Sequence, residues 1–179
     1  MVTVLGSRGM LGSVVARRWA ELGDGDFIVN CIRPDNLLLT FWMAERFRLI
    51  QPSTDAIAED SDYSLGKRII ERAPAVIIRS GIVDITRQPP VAYRDWVSNP
   101  LTPLEWADLA WEVRDQPGVH IEGREPVSRY EIGMLVAELW DRPAPSGEDG
   151  PYPLSRVQPG SRRWPPLREA LIAYREWSA

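Results

Sequence analysis

The hydrophobic positions change their period several times along the chain, and each change marks an element. Residues 1–5 (MVTVL) are almost all apolar or β-branched, and apolar side chains then recur at Met10, Leu11, Val14, Val15, Trp19 and Leu22. A short strand therefore gives way to a helix of period 3.6. Between them stand Gly6, Gly9 and Gly12. One glycine suits a tight turn with positive φ, one leaves no Cβ between backbone and ligand, and one lets the helix pack closely. Asp24, Gly25 and Asp26 mark a turn, after which 27–31 (FIVNC) reads as a second, buried strand. Asn36 is placed to cap a helix over 37–46. Residues 47–51 (FRLIQ) read as a third strand ended by Pro52, with Ser53, Thr54 and Asp55 just past its carboxyl end.

A polar stretch over 55–62 leads into a helix over 63–72, stopped by Pro74, and 75–78 (AVII) reads as a fourth strand. Residues 81–99 carry turn residues with Tyr93 and Trp96 and read as a binding or lid loop. Pro103 opens a helix reaching about 114, and 118–121 form a short strand. Ser128 with Glu131 three places on is a capping box before Ile132, Leu135, Val136 and Leu139. Proline and glycine are dense over 142–166, which predicts an irregular wrap before a last helix over 167–177. Alternating strands and helices predict an α/β fold with a mainly parallel sheet and helices on both faces.

Composition narrows the functional classes. With 44% hydrophobic and 26% charged residues over 179 positions, one soluble globular domain is expected. No apolar run approaches the ~20 residues of a membrane span. No cationic region precedes the first strand, so no secretory signal and a cytoplasmic location are expected. Cys31 is the only cysteine, which excludes an internal disulfide and a thiolate cluster, and it reads as a buried strand residue. His120 is the only histidine, so neither a Ser-His-Asp triad nor a multi-histidine metal site is expected. A net charge of -4 gives no reason to expect nucleic acid as a partner.

The one lysine, Lys67, stands four residues after Tyr63. On a helix this spacing puts both side chains on one face, one turn apart. A phenol with a pKa near ~10 is a poor acid-base catalyst at neutral pH, and an adjacent ammonium favours its phenolate. Structural roles also fit these residues: Tyr63 as a packing residue at a helix start, Lys67 and Arg8 as solvated cations, the glycines as a bare turn. Gly66 inside the helix costs about 1 kcal/mol relative to Ala.

The GxxGxxG stretch, with its Gly-Ser-Arg-Gly-Met-Leu-Gly run, resembles the cofactor-binding turn of the extended short-chain dehydrogenase/reductases, the NAD-dependent epimerase/dehydratase superfamily. Within them it is most similar to sugar-nucleotide reductases of the dTDP-4-dehydrorhamnose reductase type, and the run itself to GDP-fucose synthase. Ser53-Thr54-Asp55 matches the family's Ser-Thr-Asp at the end of its fifth strand. Residues 123–131 (GREPVSRYE) resemble its substrate-domain segment, and 166–171 (PLREAL) its closing helix. The resemblance implies a Rossmann-like, doubly wound sheet over 1–179, with substrate-side segments at about 81–102 and 122–166. It implies NADPH or NADH held by Gly6, Ser7, Arg8, Gly9, Met10, Leu11 and Gly12, together with Asn30, Tyr63 and Lys67. Arg8 takes the position that faces the adenosine 2′-phosphate. For a nucleotide-linked sugar, Tyr63 is the implied acid/base and Lys67 its electrostatic partner and ribose holder. Thr54 is the hydroxyl that polarises the carbonyl, with Ser53 as its substitute. Arg79, Arg87, Arg94 and Arg129 are candidate grips on a substrate diphosphate.

Two departures leave a second implied role open, that of a non-catalytic dinucleotide-binding or regulatory protein retaining the reductase fold. Only a short turn that includes Gly23, Asp24 and Gly25 separates the first helix from FIVNC, where the family has further strand-helix units that wall the adenine. The sheet is thus expected to be truncated in its adenosine half, with the first strand an exposed edge open to a second copy. The nine-residue step from Thr54 to Tyr63 is also short, although nine residues reach up to ~30 Å and still allow the two side chains to meet.

Overall fold

The computed structural model describes residues 2–23, 25–32, 37–55, 61–86, 89–150 and 162–179. Its first half alternates β1 (Val2–Leu5), α1 (Met10–Leu22), β2 (Phe27–Asn30), α2 (Leu37–Arg46), β3 (Leu49–Thr54), α3 (Asp62–Ile70) and β4 (Val76–Ile82). Short strands β5 (Val91–Tyr93), β6 (Val97–Ser98) and β7 (Pro100–Leu101) follow, then α4 (Pro103–Glu112) and β8 (Gly118–Ile121). The chain closes with β9 (Val127–Ser128), α5 (Arg129–Leu139), β10 (Ser146–Glu148) and α6 (Leu167–Ser178). Among the described residues no helix is long and apolar enough to cross a membrane.

The central sheet is parallel, in the order β1-β2-β3-β4, with β7 and β8 both pairing β4. Side-chain alternation sorts its residues into two layers. Val29, Ile50, Val76 and Ile78 pack with Val14, Val15 and Trp19 of α1 and Trp106 and Ala107 of α4. Leu49 and Ile77 face the other way, onto Met43 and Ala44 of α2 and Ile70 of α3. The Trp19 indole locks the first layer by donating to the Ala107 carbonyl at 2.9 Å.

This arrangement has a topological consequence. The steps β1 to β2, β2 to β3 and β3 to β4 all run in one direction across the sheet, yet α1 lies on one face and α2 and α3 on the other. Two parallel crossovers stepping the same way over opposite faces have opposite hands. The β1-α1-β2 unit therefore has the hand opposite to that of the next two, and the near-universal right-handed preference is broken in this sheet. Among the described residues β1 pairs only β2 and forms the sheet edge, as the sequence predicts for a truncated adenosine half.

Several boundaries differ from expectation. Pro52 does not end β3 but lies inside it, with Ser53 and Thr54 as the last strand residues. The β2 ladder stops at Ile50, so the missing Pro52 N–H falls where no strand partner stands, while pairing to β4 continues through Thr54. β4 runs four residues beyond the expected Ile78, to Ile82. The expected loop over 81–99 contains β5 and β6, which pair with β10 and β9 respectively, so the wrap over 142–166 is partly regular too. Asn36, Asp24, Arg87 and residues 151–161 lie outside the described residues.

Candidate functional site

At the carboxyl end of β1 the chain turns at Gly6 with φ +78°, a backbone region that favours glycine. The Gly9 N–H donates to the Gly6 carbonyl at 2.9 Å and closes the turn. Gly12 is needed for space: a Cβ there would stand 2.2 Å from the Gly6 oxygen. α1 starts behind Gly9 with no side-chain cap and no acidic residue in its first turn. Ser7, Arg8 and Gly9 are exposed, with Met10 and Leu11 half-buried behind them. Free helix N–H groups, a positive helix end and an adjacent exposed guanidinium suit an anion such as a diphosphate.

The end of β2 ties this turn to the rest of the rim. Cys31 N–H donates to the Leu5 carbonyl at 2.9 Å, and a Cβ on Gly6 would stand 3.0 Å from the Cys31 carbonyl carbon. Asn30 is buried and internally engaged: its Nδ2 donates to Gln51 Oε1 at 2.8 Å, and its Oδ1 accepts from the Ile32 N–H at 3.2 Å. Its side chain shapes the floor beside the glycine turn rather than projecting from it.

α3 approaches the same rim from the opposite layer. Ser61 caps it, accepting from the Ser64 N–H at 3.2 Å. Lys67 is 4% exposed and its Nζ donates to the Pro52 carbonyl at 2.8 Å, where β3 has lost its β2 partner. The Tyr63 ring centroid lies 5.6 Å from that Nζ, and the ring itself is half exposed. Burial lowers the Lys67 ammonium to about 8, while the Cys31 thiol and the Glu71 carboxylate pull the other way. The Cys31 thiol is pushed up to about 12 by burial, against the pull of Lys67. Cys31 thus touches the glycine turn through its backbone, and its thiol lies within electrostatic range of the Lys67 ammonium at the same rim.

The hydroxyls of the Ser-Thr-Asp run diverge. Ser53 shares the parity of Leu49 and points to α3, where its Oγ donates to Glu71 Oε1 at 2.7 Å. Arg79, on the neighbouring strand, donates to both oxygens of the same carboxylate, with Nε at 2.8 Å from Oε1. Arg79 is thereby held inside the protein and is no grip on a substrate diphosphate. Thr54 shares the parity of Ile50 and stands buried at the tip of β3, in register with Ser80. Asp55 accepts from Ser98 Oγ and from the Asn99 N–H at 3.0 Å, and Gly81 makes room, since a Cβ there would lie 2.7 Å from Asp55 Oδ2. Arg94 covers the Tyr130 ring at 5.1 Å and Arg129 is exposed.

Sequence reasoning missed the roles of three charged residues that shape this rim, two of them buried, Asp55 and Arg124, and one half-buried, Glu71. Glu71 follows Lys67 by one helical turn, a spacing that was visible, but its partners Ser53 and Arg79 come from two strands. Asp55 clasps a segment more than forty residues away. Arg124 donates to the Pro100 carbonyl at 2.7 Å, to Glu105 Oε1 at 2.6 Å and to the Pro165 carbonyl at 3.1 Å, pinning the start of the closing helix. A second capping box, Thr102 with Glu105, was readable from spacing alone.

No protein-family model matches the sequence, and no curated protein matches it. Solved structures do. MoeE5 in complex with UDP-glucuronic acid and NAD is similar with a TM-score of 0.69 at 16% identity, covering 99% of this chain and 98% of that one. The fold is that of the nucleotide-sugar epimerases and reductases. The Bordetella bronchiseptica enzyme WbmH in complex with NAD+ matches at a TM-score of 0.64 and 13% identity over 99% of both chains. The dTDP-4-dehydrorhamnose reductase of Bacillus anthracis in complex with NADP matches at 0.61 and 10% identity over 83% of each.

Proposed function

We propose that the protein is an NAD(P)-dependent oxidoreductase acting on a nucleotide-linked sugar. The observation that carries this reading is the shared rim: the uncapped glycine turn follows the carboxyl end of β1, and Lys67 bonds the Pro52 carbonyl near the carboxyl end of β3 in the same parallel sheet. The turn fits a dinucleotide diphosphate, because its backbone is open and its helix end has no competing acid. A nicotinamide cofactor would supply or accept the hydride. In this reading Arg8 and the N–H groups behind Gly9 bind the diphosphate side, and Lys67 bonds the nicotinamide ribose. The Lys67 charge lowers the cost of the Tyr63 phenolate, so that the phenol gives or takes the proton of the sugar oxygen. Thr54, at the carboxyl tip of β3, donates to that oxygen, and Ser53 points into the other layer toward Glu71. MoeE5 and WbmH, with the same fold, were solved with NAD, and MoeE5 also with UDP-glucuronic acid.

Titration with NADH and NADPH, followed by nucleotide fluorescence, tests the first step. Saturable binding is expected, and none at millimolar nucleotide overturns the reading. With UDP- and dTDP-linked sugars, Tyr63→Phe is expected to lower turnover at least about 100-fold with nucleotide affinity nearly unchanged. The open β1 edge favours a second reading, a binding protein that keeps the fold without the chemistry. That reading gains if nucleotide binds, no sugar nucleotide is turned over, and a protein partner survives both Tyr63→Phe and Lys67→Ala.

A further inference from the structure

Lys67 is an unusual lysine, because its ammonium lies inside the protein against a carbonyl and not in water. Removing an ammonium from water disfavours its charge, and one hydrogen bond to an amide oxygen replaces little of the lost hydration. Something nearby must supply negative potential if the group is to act as a cation. From β2 it is faced by the Cys31 thiol, from its own helix by the Tyr63 phenol and the Glu71 carboxylate, and from β3 by the uncharged Pro52 carbonyl. The Cys31 thiol, pushed up to about 12, is neutral at physiological pH and adds no charge there. Of these groups, Glu71 is the carboxylate, and it pulls the Lys67 ammonium back toward its charged form.

Its placement is fixed from three sides. Lys67 bonds the carbonyl of Pro52 and Glu71 bonds the hydroxyl of Ser53, so the two charges straddle one peptide of β3. Arg79 grips both Glu71 oxygens from β4. Glu71 is also the C-cap residue of α3, its N–H donating to the Lys67 carbonyl at 3.0 Å. The helix carrying Tyr63 and Lys67 is thereby anchored to the two strands at the heart of the sheet. Building on the oxidoreductase reading above, we propose that Glu71 is the positioning residue of the site: anchored by Ser53 and Arg79, it keeps Lys67 cationic and seated on the Pro52 carbonyl. The arginine does not reverse this effect when Glu71→Gln is compared with the parent, because the substitution leaves its guanidinium unopposed, and a cation without its carboxylate acts on Lys67 in the same direction as the loss of the carboxylate.

Because Lys67 is the only lysine in the chain, uniform labelling with [ε-13C]lysine gives one resonance, and its pH titration reads this ammonium directly. The parent protein is expected to titrate near 8. In Glu71→Gln the midpoint is expected to fall by about one pH unit or more, whereas Ser53→Ala, which keeps the carboxylate, leaves it within a few tenths. An unchanged midpoint in folded Glu71→Gln overturns the proposal, and so does an equal fall in Ser53→Ala, which would mark a general loosening. If Glu71→Gln does not fold, Arg79→Gln decides: without the guanidinium the carboxylate acts on Lys67 unopposed, so the lysine midpoint is expected to rise, and an unchanged or lower midpoint overturns the proposal. NADH titrated as a function of pH provides the functional arm, with the basic-side loss of affinity moving down by the same interval in Glu71→Gln. Failure of NADH to bind removes the oxidoreductase reading but leaves the lysine titration, and hence the role of Glu71 toward Lys67, to be judged by itself.

Discussion

β1 and β3 belong to one sheet, yet all six residues of β3 are buried and all four of β1 are only half covered. Around β3 the polar groups are paired: Ser53 and Arg79 both donate to Glu71, and Lys67 donates to the Pro52 carbonyl. Beside β1 runs an open groove of about 470 Å³ lined by Val2, Val4, Ser7, Ala16, Trp19, Ala20 and Gly23. The difference separates two ways of building a site. In the proposed site the proton-handling half depends on burial and on side chains from three elements, whereas the anion-binding half depends on backbone groups at one turn. Substitutions should therefore cost stability around β3 and cost mainly ligand affinity around β1.

The largest effect is expected at Arg79. Arg79→Ala leaves the Glu71 carboxylate enclosed with only the Ser53 hydroxyl as its strong donor, and breaking such a pair by removing one partner costs about 3 kcal/mol. Urea unfolding checks this through the midpoint, with the slope unchanged. A loss below about 1 kcal/mol would place Arg79 among ordinary surface pairs and erase the contrast with β1.

Next comes a pH effect. An unfolded lysine titrates at 10.5 and Lys67 in the fold near 8, so between these values the unfolded chain binds more protons. Stability must then rise with pH through that window, being fully available above 10.5 and lost as pH falls through 8. Relative to Lys67→Met, the parent should gain on the order of 3 kcal/mol from pH 8 to 10.5, measured as the difference in thermal or urea stability. Cys31 titrates in both proteins and largely cancels in the comparison. A flat difference would mean that water reaches the ammonium.

The glycine turn should respond more weakly in stability and more strongly in binding. Gly12→Ala drives a Cβ to 2.2 Å from the Gly6 oxygen, so α1 must move away from the turn. Overpacking of this kind costs about 2 kcal/mol, and it should weaken NADH by at least about tenfold in a fluorescence titration by displacing the helix N–H groups. Gly66→Ala is the control, because a Cβ there meets nothing and Ala favours the helix by about 1 kcal/mol.

What was legible in the sequence follows the same division. α1, the glycine turn and the Ser128-Glu131 box were readable because period, turn and cap are local signals, and each stands where the pattern put it. The edge position of β1 was readable from the four residues between α1 and β2. Pro52 misled, because a proline is tolerated in a strand whose neighbour has already ended, and that ending is set by β2 and not by β3. The hand of β1-α1-β2 was hidden as well, since it depends on which layer receives α1, and α4 decides that through Trp19 and Ala107. For Glu71 and Asp55 it is the partners that carry no local signature. Their donors arrive from β3, β4 and the segment around Asn99.

The smallest structural effect is expected at Arg8, where the two halves differ most. Arg8 is exposed beside the turn, so Arg8→Ala should change stability by less than about 0.5 kcal/mol. An exposed guanidinium still gives charge-assisted bonds to a phosphate, and only NADPH carries one at the adenosine 2′ position. The substitution should therefore weaken NADPH about tenfold, with a smaller loss for NADH. Equal losses would assign Arg8 to the diphosphate that both nucleotides share. No loss for either would leave the backbone of the turn as the whole anion site, and the contrast between a side-chain site at β3 and a backbone site at β1 would then be complete.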